Sequence, residues 1–296
     1  MSTMKNISIL LLTTILLVSC ELYEQDDYTQ EYVIESYLIA DQKLPNVYLS
    51  TTSPIFEEYN RDNNGVSNAT VVVREYDLQG NLNWTEPLTH IQNGAYNTNN
   101  ESLLVRPRHR YTLEVTIQSD NHIIRAETVV PDTFSIRTIN ATSLVYQGPQ
   151  QFELDLSPSF YPGRQGYYVF ANETLDPENA EFTPFYADAD GDREDFYQVS
   201  SGIVNETSTG QNGNTVIELK FPWIGIAFFG PNRLSTSAID DNMYDFIRSV
   251  SIQQGGSTQS PGEIENFISN VEGGIGVFGS YAQVSVDVEV LKPGAN

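Results

Sequence analysis

Arg110–Gln118 reads RYTLEVTIQ and, after the polar Ser119-Asp120-Asn121, the chain resumes at His122–Val130 as HIIRAETVV. Tyr111, Leu113, Val115 and Ile117 fall on one side of an extended backbone, and Thr112, Glu114 and Thr116 on the other. Strand side chains alternate between faces, so this is a strand with one dry side and one wet side. A short polar turn between two such segments predicts an antiparallel hairpin. The pattern extends upstream. Ala69–Tyr76 (ATVVVREY) sets Val71 and Val73 against Val72, and Glu31–Ala40 and Asn46–Thr52 are further strands. Several strands with polar turns between them predict an immunoglobulin-like β-sandwich over residues 31–131, closed by Pro131. The Cys-Trp-Cys signature of antibody domains is missing, because the chain has one cysteine. A β fold of the same length with other connections stays open.

Residues 132–296 read as a second β-rich part, packed with the first and carrying one short helix. Phe152–Leu156, Gly166–Phe170 and Thr215–Phe221 are expected strands, and Ala171–Asn214 reads as long loops. Ile239, Met243, Phe246 and Val250 recur at helical spacing, which predicts a helix over 239–250. Ser237 is its expected N-cap, with Asp240 as the box partner. At the C-terminal end, Ala282, Val284, Val286 and Val288 alternate with Gln283, Ser285, Asp287 and Glu289, as in a terminal strand with one buried face. The overall class is mainly β.

The first twenty residues address the chain. MSTMKNISILLLTTILLVSC carries Lys5 ahead of a mostly apolar Ile7–Val18 stretch. That stretch is shorter than the ~20 residues a membrane-spanning helix needs, and it suits a secretory signal. Leu17–Cys20 resembles the lipobox of bacterial lipoproteins. The resemblance implies a signal peptide over 1–19, diacylation of Cys20 on sulfur, cleavage before it, and a lipidated tether over 20–30. Several acyl chains anchor stably because each buried methylene contributes about 0.8 kcal/mol. Processing removes Lys5 and no carboxylate, so the formal charge moves from −24 to −25. Glu21, Glu24, Asp26 and Asp27 resemble the surface-export signal of Bacteroidetes-type lipoproteins. The expected location is the outer membrane at the cell surface, with the periplasmic face as the alternative.

Composition excludes some chemistry. Fifteen Lys and Arg against 39 Asp and Glu leave no basic face for nucleic acid. One cysteine rules out a thiolate-rich zinc site, and no HExxH or GxSxG motif occurs. Asp188, Asp190, Asp192 and Asp195, in DADGDRED, form the one metal candidate. A loop that turned them inward would suit calcium, a hard cation with six to eight oxygen ligands. The spacing is not that of an EF-hand, and a solvated acidic loop is the competing reading. His90, His109 and His122 are scattered. Around Ile224–Ala227, Trp223, Phe228 and Phe229 admit two readings: core, or an exposed aromatic ledge that binds a partner. Gly273, Gly274, Gly276 and Gly279 read as tight turns or close backbone approaches, with Val277 and Phe278 packed beneath and Asn270 bonded to the backbone.

Several stretches carry a wider likeness. YVIESYL at Tyr32–Leu38, NVYLSTTSP at Asn46–Pro54, GAY at Gly94–Tyr96, Arg110–Pro131 and, most specifically, NVEGGIGVFGSY at Asn270–Tyr281 resemble the DUF4249 family of Bacteroidetes lipoproteins. Ser36 departs from a position that is often glycine there. The resemblance supplies no catalytic residues. It implies a non-enzymatic accessory lipoprotein of an outer-membrane complex, docked to a TonB-dependent receptor or another β-barrel. The alternative is a surface protein that captures nutrient for such a receptor.

Overall fold

The structure is a computed structural model, and it describes residues 28–54, 56–205, 216–253 and 267–294. Cys20 and Glu21–Asp27 lie outside the described residues. The first unit contains β1 (Tyr32–Ile39), β2 (Val47–Thr51), β3 (Ala69–Tyr76), β4 (Leu82–Gln92), β5 (Ala95–Asn97), β6 (Arg110–Ile117) and β7 (Ile123–Val129). The second contains β8 (Ile136–Ile139), β9 (Ser143–Val145), β10 (Phe152–Leu156), β11 (Tyr167–Thr174), β12 (Gln198–Ser200), β13 (Val204–Asn205), β14 (Ile217–Phe221) and β15 (Gly230–Ile239). Helix α1 (Asp241–Gln253) follows, and the long β16 (Ile275–Leu291) closes the chain.

The hairpin predicted from Arg110–Val130 forms: β6 and β7 pair antiparallel, with Leu113 opposite Ala126. On the other edge of β6, Val115 meets Val71 and Leu113 meets Val73. Tyr111, Leu113, Val115 and Ile117 are all buried, as their alternation required. β4 changes layers. Its Leu82–Leu88 portion pairs with β3, and Thr89–Gln92 pairs with β5 through an irregularity near His90. β5 and β2 then lead to β1. Ile34, Leu38 and Leu49 belong to the same apolar core as Val71, Val73 and Leu113. The first unit is thus an immunoglobulin-like sandwich, and the mainly β class holds throughout.

The second unit sets β8–β10–β14 against β12–β11–β15. The segment after Phe170 differs from the expected long loop. β11 continues to Thr174, and β12 and β13 pair with it. Polar composition concealed these strands because their exposed positions carry Glu173, Gln198 and Ser200.

β16 joins the two units. Its Ile275–Tyr281 half runs parallel to β1, with Val33 opposite Ile275 and Ile39 opposite Tyr281. Its Tyr281–Val290 half runs antiparallel to β15, with Tyr281 opposite Ile239. The expected boundary near residue 131 therefore does not separate the chain cleanly, because the last strand completes the sheet of the first unit. Gly276 makes this possible. It has φ 118°, and a Cβ there would lie 1.9 Å from the Ile34 carbonyl oxygen. Asn270 secures the strand entrance by accepting from Phe278 N at 3.0 Å and donating to Phe278 O at 2.9 Å.

The helix also corrects its expected cap. Ile239 and Ser237 remain in β15, and the helix starts two residues later than predicted. Asp240 is the N-cap: its Oδ1 accepts from Met243 N at 2.8 Å. Gly279 of β16 lets Met243 approach, since a Cβ there would sit 2.6 Å from the Met243 sulfur.

Candidate functional site

Two buried carboxylates stand at structural joints. Glu75 is fully buried at the end of β3. Asn83 Nδ2 at 2.7 Å, Trp84 Nε1 at 2.6 Å and the Tyr111 hydroxyl at 3.0 Å donate to it, and His109 Nδ1 lies at 2.8 Å. Burial alone would raise its pKa, but the hydrogen bonds of Asn83, His109, Tyr111 and Trp84 outweigh it and hold the carboxyl below its ordinary value. Burial also raises the pKa of the Tyr111 hydroxyl, which keeps it a donor. The group is an ionised hub that ties β3, β4 and β6 together. The Glu75–His109 contact gives His109 the role that sequence left undecided.

Asp240 is the second. It lies where β7, β16 and α1 meet and is fully buried. Thr128 Oγ1 donates to Oδ2, Ser280 Oγ lies 3.3 Å away, and the Asp240 backbone N donates to Ser280 O at 3.0 Å. Burial dominates and pushes its pKa up to about 6.

A pocket of mostly apolar lining opens in the second unit, and sequence reasoning missed it. A cavity of about 210 Å³ opens between β11 with the Val199–Ser201 segment on one side and β14 with the Pro222–Gly225 turn on the other. Phe170, Leu219, Phe221, Pro222 and Ile224 wall it. Phe170 and Phe221 meet edge to face at 6.2 Å. Asn172 also lines the cavity. It is 3% exposed, and its Nδ2 has no hydrogen-bond partner among the described residues. The buried Asn232 Oδ1 and Thr236 Oγ1 also lack partners. They lie on the inward face of the neighbouring β15, where Thr236 pairs with Phe170 and Asn232 with Thr174. Such groups are uncommon because burying a polar atom without a bond costs about 1–3 kcal/mol. The readable signal was Asn172 within YYVFANET, two residues beyond Phe170 on the same face.

The residues singled out from sequence fall elsewhere. Asp188, Asp190, Asp192 and Asp195 are all exposed. Asp195 Oδ2 accepts from Asp192 N at 2.9 Å, which turns it toward its own short helical turn. Among the described residues no three His, Cys, Asp or Glu side chains come together to hold a metal. Trp223, Phe228 and Phe229 correct the exposed-ledge reading. Phe228 and Phe229 are buried, and Trp223 is half-buried against Tyr146 and Phe152. Phe228 stacks on Phe182 at 4.5 Å, and the Arg193 guanidinium sits 4.7 Å from its ring. These aromatics fasten the loop before β12 onto the sandwich, and their neighbour Ile224 projects, at 54% exposed. No helix among the described residues is long and apolar enough to cross a membrane.

A family model described as a domain of unknown function, DUF4249, matches residues 19–286. The chain belongs to the DUF4249 family. That match spans both sandwiches and all but the end of β16. No curated protein matches the DUF4249 chain. Among solved structures, Salmonella α2-macroglobulin reacted with methylamine is 11% identical with a TM-score of 0.25, over 89% of this chain and 15% of that one. Escherichia coli α2-macroglobulin activated by porcine elastase gives 10% and 0.24, over 89% of this chain and 20% of that one. The first three fibronectin domains of chicken CNTN1 give 12% and 0.24, over 88% of this chain and 66% of that one. The DUF4249 chain thus spans a fifth or less of the two α2-macroglobulins.

Proposed function

We propose that this DUF4249 protein is a lipid-anchored, non-catalytic accessory subunit at the outer membrane, on its cell-surface side, docked to a β-barrel such as a TonB-dependent receptor. The observation that carries the proposal is how the anchor meets the body. Eight residues after Cys20, the Tyr28 hydroxyl is held 2.7 Å from Thr52 Oγ1, and the chain then enters β1. β1 is the strand to which β16 pairs, and β16 spans both sandwiches. An extended backbone advances at most roughly 3.5 Å per residue, so a tether of this length keeps the body within about 30 Å of the bilayer. Acyl chains on Cys20 would hold both sandwiches there as one piece, which suits a subunit that presents a fixed surface to a neighbour. The acidic body disfavours adsorption to anionic lipid and leaves the acyl chains as the membrane contact. Metabolic labelling with a palmitate analogue tests this. Wild type should carry label in the outer-membrane fraction, and Cys20→Ser should lose both label and membrane association. Unlabelled wild type would overturn the anchor.

A second reading, capture of a nutrient for the receptor, is favoured by the cavity beside Asn172. It is apolar and concave, and the buried Asn172 lines it.

A further inference from the structure

We propose that the cavity between β11 and β14 binds a neutral, one-ring aromatic or short branched aliphatic group whose carbonyl oxygen accepts a hydrogen bond from Asn172 Nδ2. The inference rests on the capture reading for its biological role, and on the cavity itself for its chemistry. Phe170, Leu219, Phe221 and Ile224 demand an apolar body. The size limits that body. About 210 Å³ lies below the ~300 Å³ at which drug-sized sites begin, and above the ~150 Å³ of an engineered apolar cavity that takes benzene.

The polar end is specified by elimination among the lining side chains. Ser201 Oγ accepts from Phe170 N at 2.9 Å and donates to Gly202 O at 2.7 Å. Ser200 Oγ accepts from Gln198 Nε2 at 3.2 Å. Lys220 lies 2.7 Å from Glu153 in an ion pair, so the rim offers no free cation to a carboxylate or phosphate. Asn172 Nδ2 alone remains a buried donor without a partner. A donor selects an acceptor, and a neutral rim selects an uncharged one.

The test follows methyl resonances of Leu219 and Ile224 in the full chain in detergent micelles, titrated with acetophenone and with ethylbenzene, which has the same ring and no oxygen. Acetophenone should shift both methyls, and its affinity relative to ethylbenzene should be about tenfold higher in wild type than in Asn172→Ala. Micelle partitioning differs between the two probes but is the same for every protein variant, so the readout is the acetophenone-to-ethylbenzene affinity ratio of each variant relative to wild type. Asn172→Leu, and Asn172→Ala, which removes the donor without filling the space, should each lower that ratio about tenfold. Leu113 methyl shifts in the first sandwich report whether each variant is folded. Leu219 and Ile224 methyls unmoved by acetophenone, or an affinity ratio unchanged in Asn172→Ala, would overturn the inference. Benzoate displacing acetophenone at these methyls would also overturn the neutral class, while capture itself would stand. Acetophenone binding with the stated preference supports the site whether or not the protein delivers anything to a receptor.

Discussion

Replacing Asp240 with asparagine gives a change whose size and sign both follow from the structure. Asp240 is fully buried, and burial raises its pKa from 3.8 to about 6. Below pH ~4 the carboxyl is protonated in both folded and unfolded chains. As pH rises from about 4 to 6 the unfolded chain ionises first, so this group's contribution to stability is lost across that window. Above the folded pKa the loss is complete, and two pKa units correspond to about 3 kcal/mol. Asparagine is also a good N-cap, so its side-chain oxygen can keep the bond from Met243 N. The new amide nitrogen would face Thr128 Oγ1, which can donate instead to Ser280 Oγ, 2.7 Å away. Urea unfolding followed by the fluorescence of Trp84 and Trp223 reports one tryptophan in each unit. The stability of Asp240→Asn minus that of wild type should rise by about 3 kcal/mol between pH 3.5 and pH 7. Taking the difference cancels the other carboxylates. A difference that stays flat across this range would refute the reasoning.

Glu75 should behave in the opposite sense. Its lowered pKa means that its contribution is present at neutral pH and is lost as pH falls below about 4.5. Glu75→Gln turns a donor toward one of the groups that now donate to it, and should cost about 2–4 kcal/mol in urea unfolding at pH 7; a loss under 0.5 kcal/mol would contradict the hub. Gly276→Ala combines a positive φ with a clash on Ile34 O, so the melting temperature should fall by an amount equivalent to about 3 kcal/mol or more. An unchanged melting temperature would mean that β1 and β16 do not pair as described. Chelation with EDTA should leave the melting temperature unchanged, and a fall of several degrees would show that Asp188, Asp190 and Asp192 gather around a cation after all.

The parts legible in sequence were those where alternation and burial agree. Tyr111 to Ile117 declared both the strand and its dry face, and the polar Ser119–Asn121 turn declared the hairpin. Alternation does not name a strand's neighbour. It marked Ala282–Val288 as a strand, but nothing in that pattern shows that Ile275–Tyr281 continues it along β1 in the other sandwich. An apolar run such as Ile224–Phe229 fits core and exposed ledge equally, and only the partners Phe182, Tyr146 and Arg193 settle it as packing. The acidic stretch Asp188–Asp195 has metal-like composition, but ligation depends on convergence, which spacing does not show, and Asp195 accepts from the Asp192 backbone. Asn172 was hidden by its polarity, which reads as loop when its strand partners are unknown. The Ser237–Asp240 spacing fits a capping box, whereas pairing with β16 keeps the chain extended through Ile239.

The central claim is that an anchored DUF4249 body docks to an outer-membrane barrel. Affinity isolation of the full-length protein from mildly solubilised outer membranes, with mass spectrometry of what co-purifies, tests it most directly. A β-barrel recovered in near-stoichiometric amount with wild type, and absent with Cys20→Ser, is the predicted result. Recovery of wild type as a free monomer, under conditions that keep known barrel complexes intact, would contradict it.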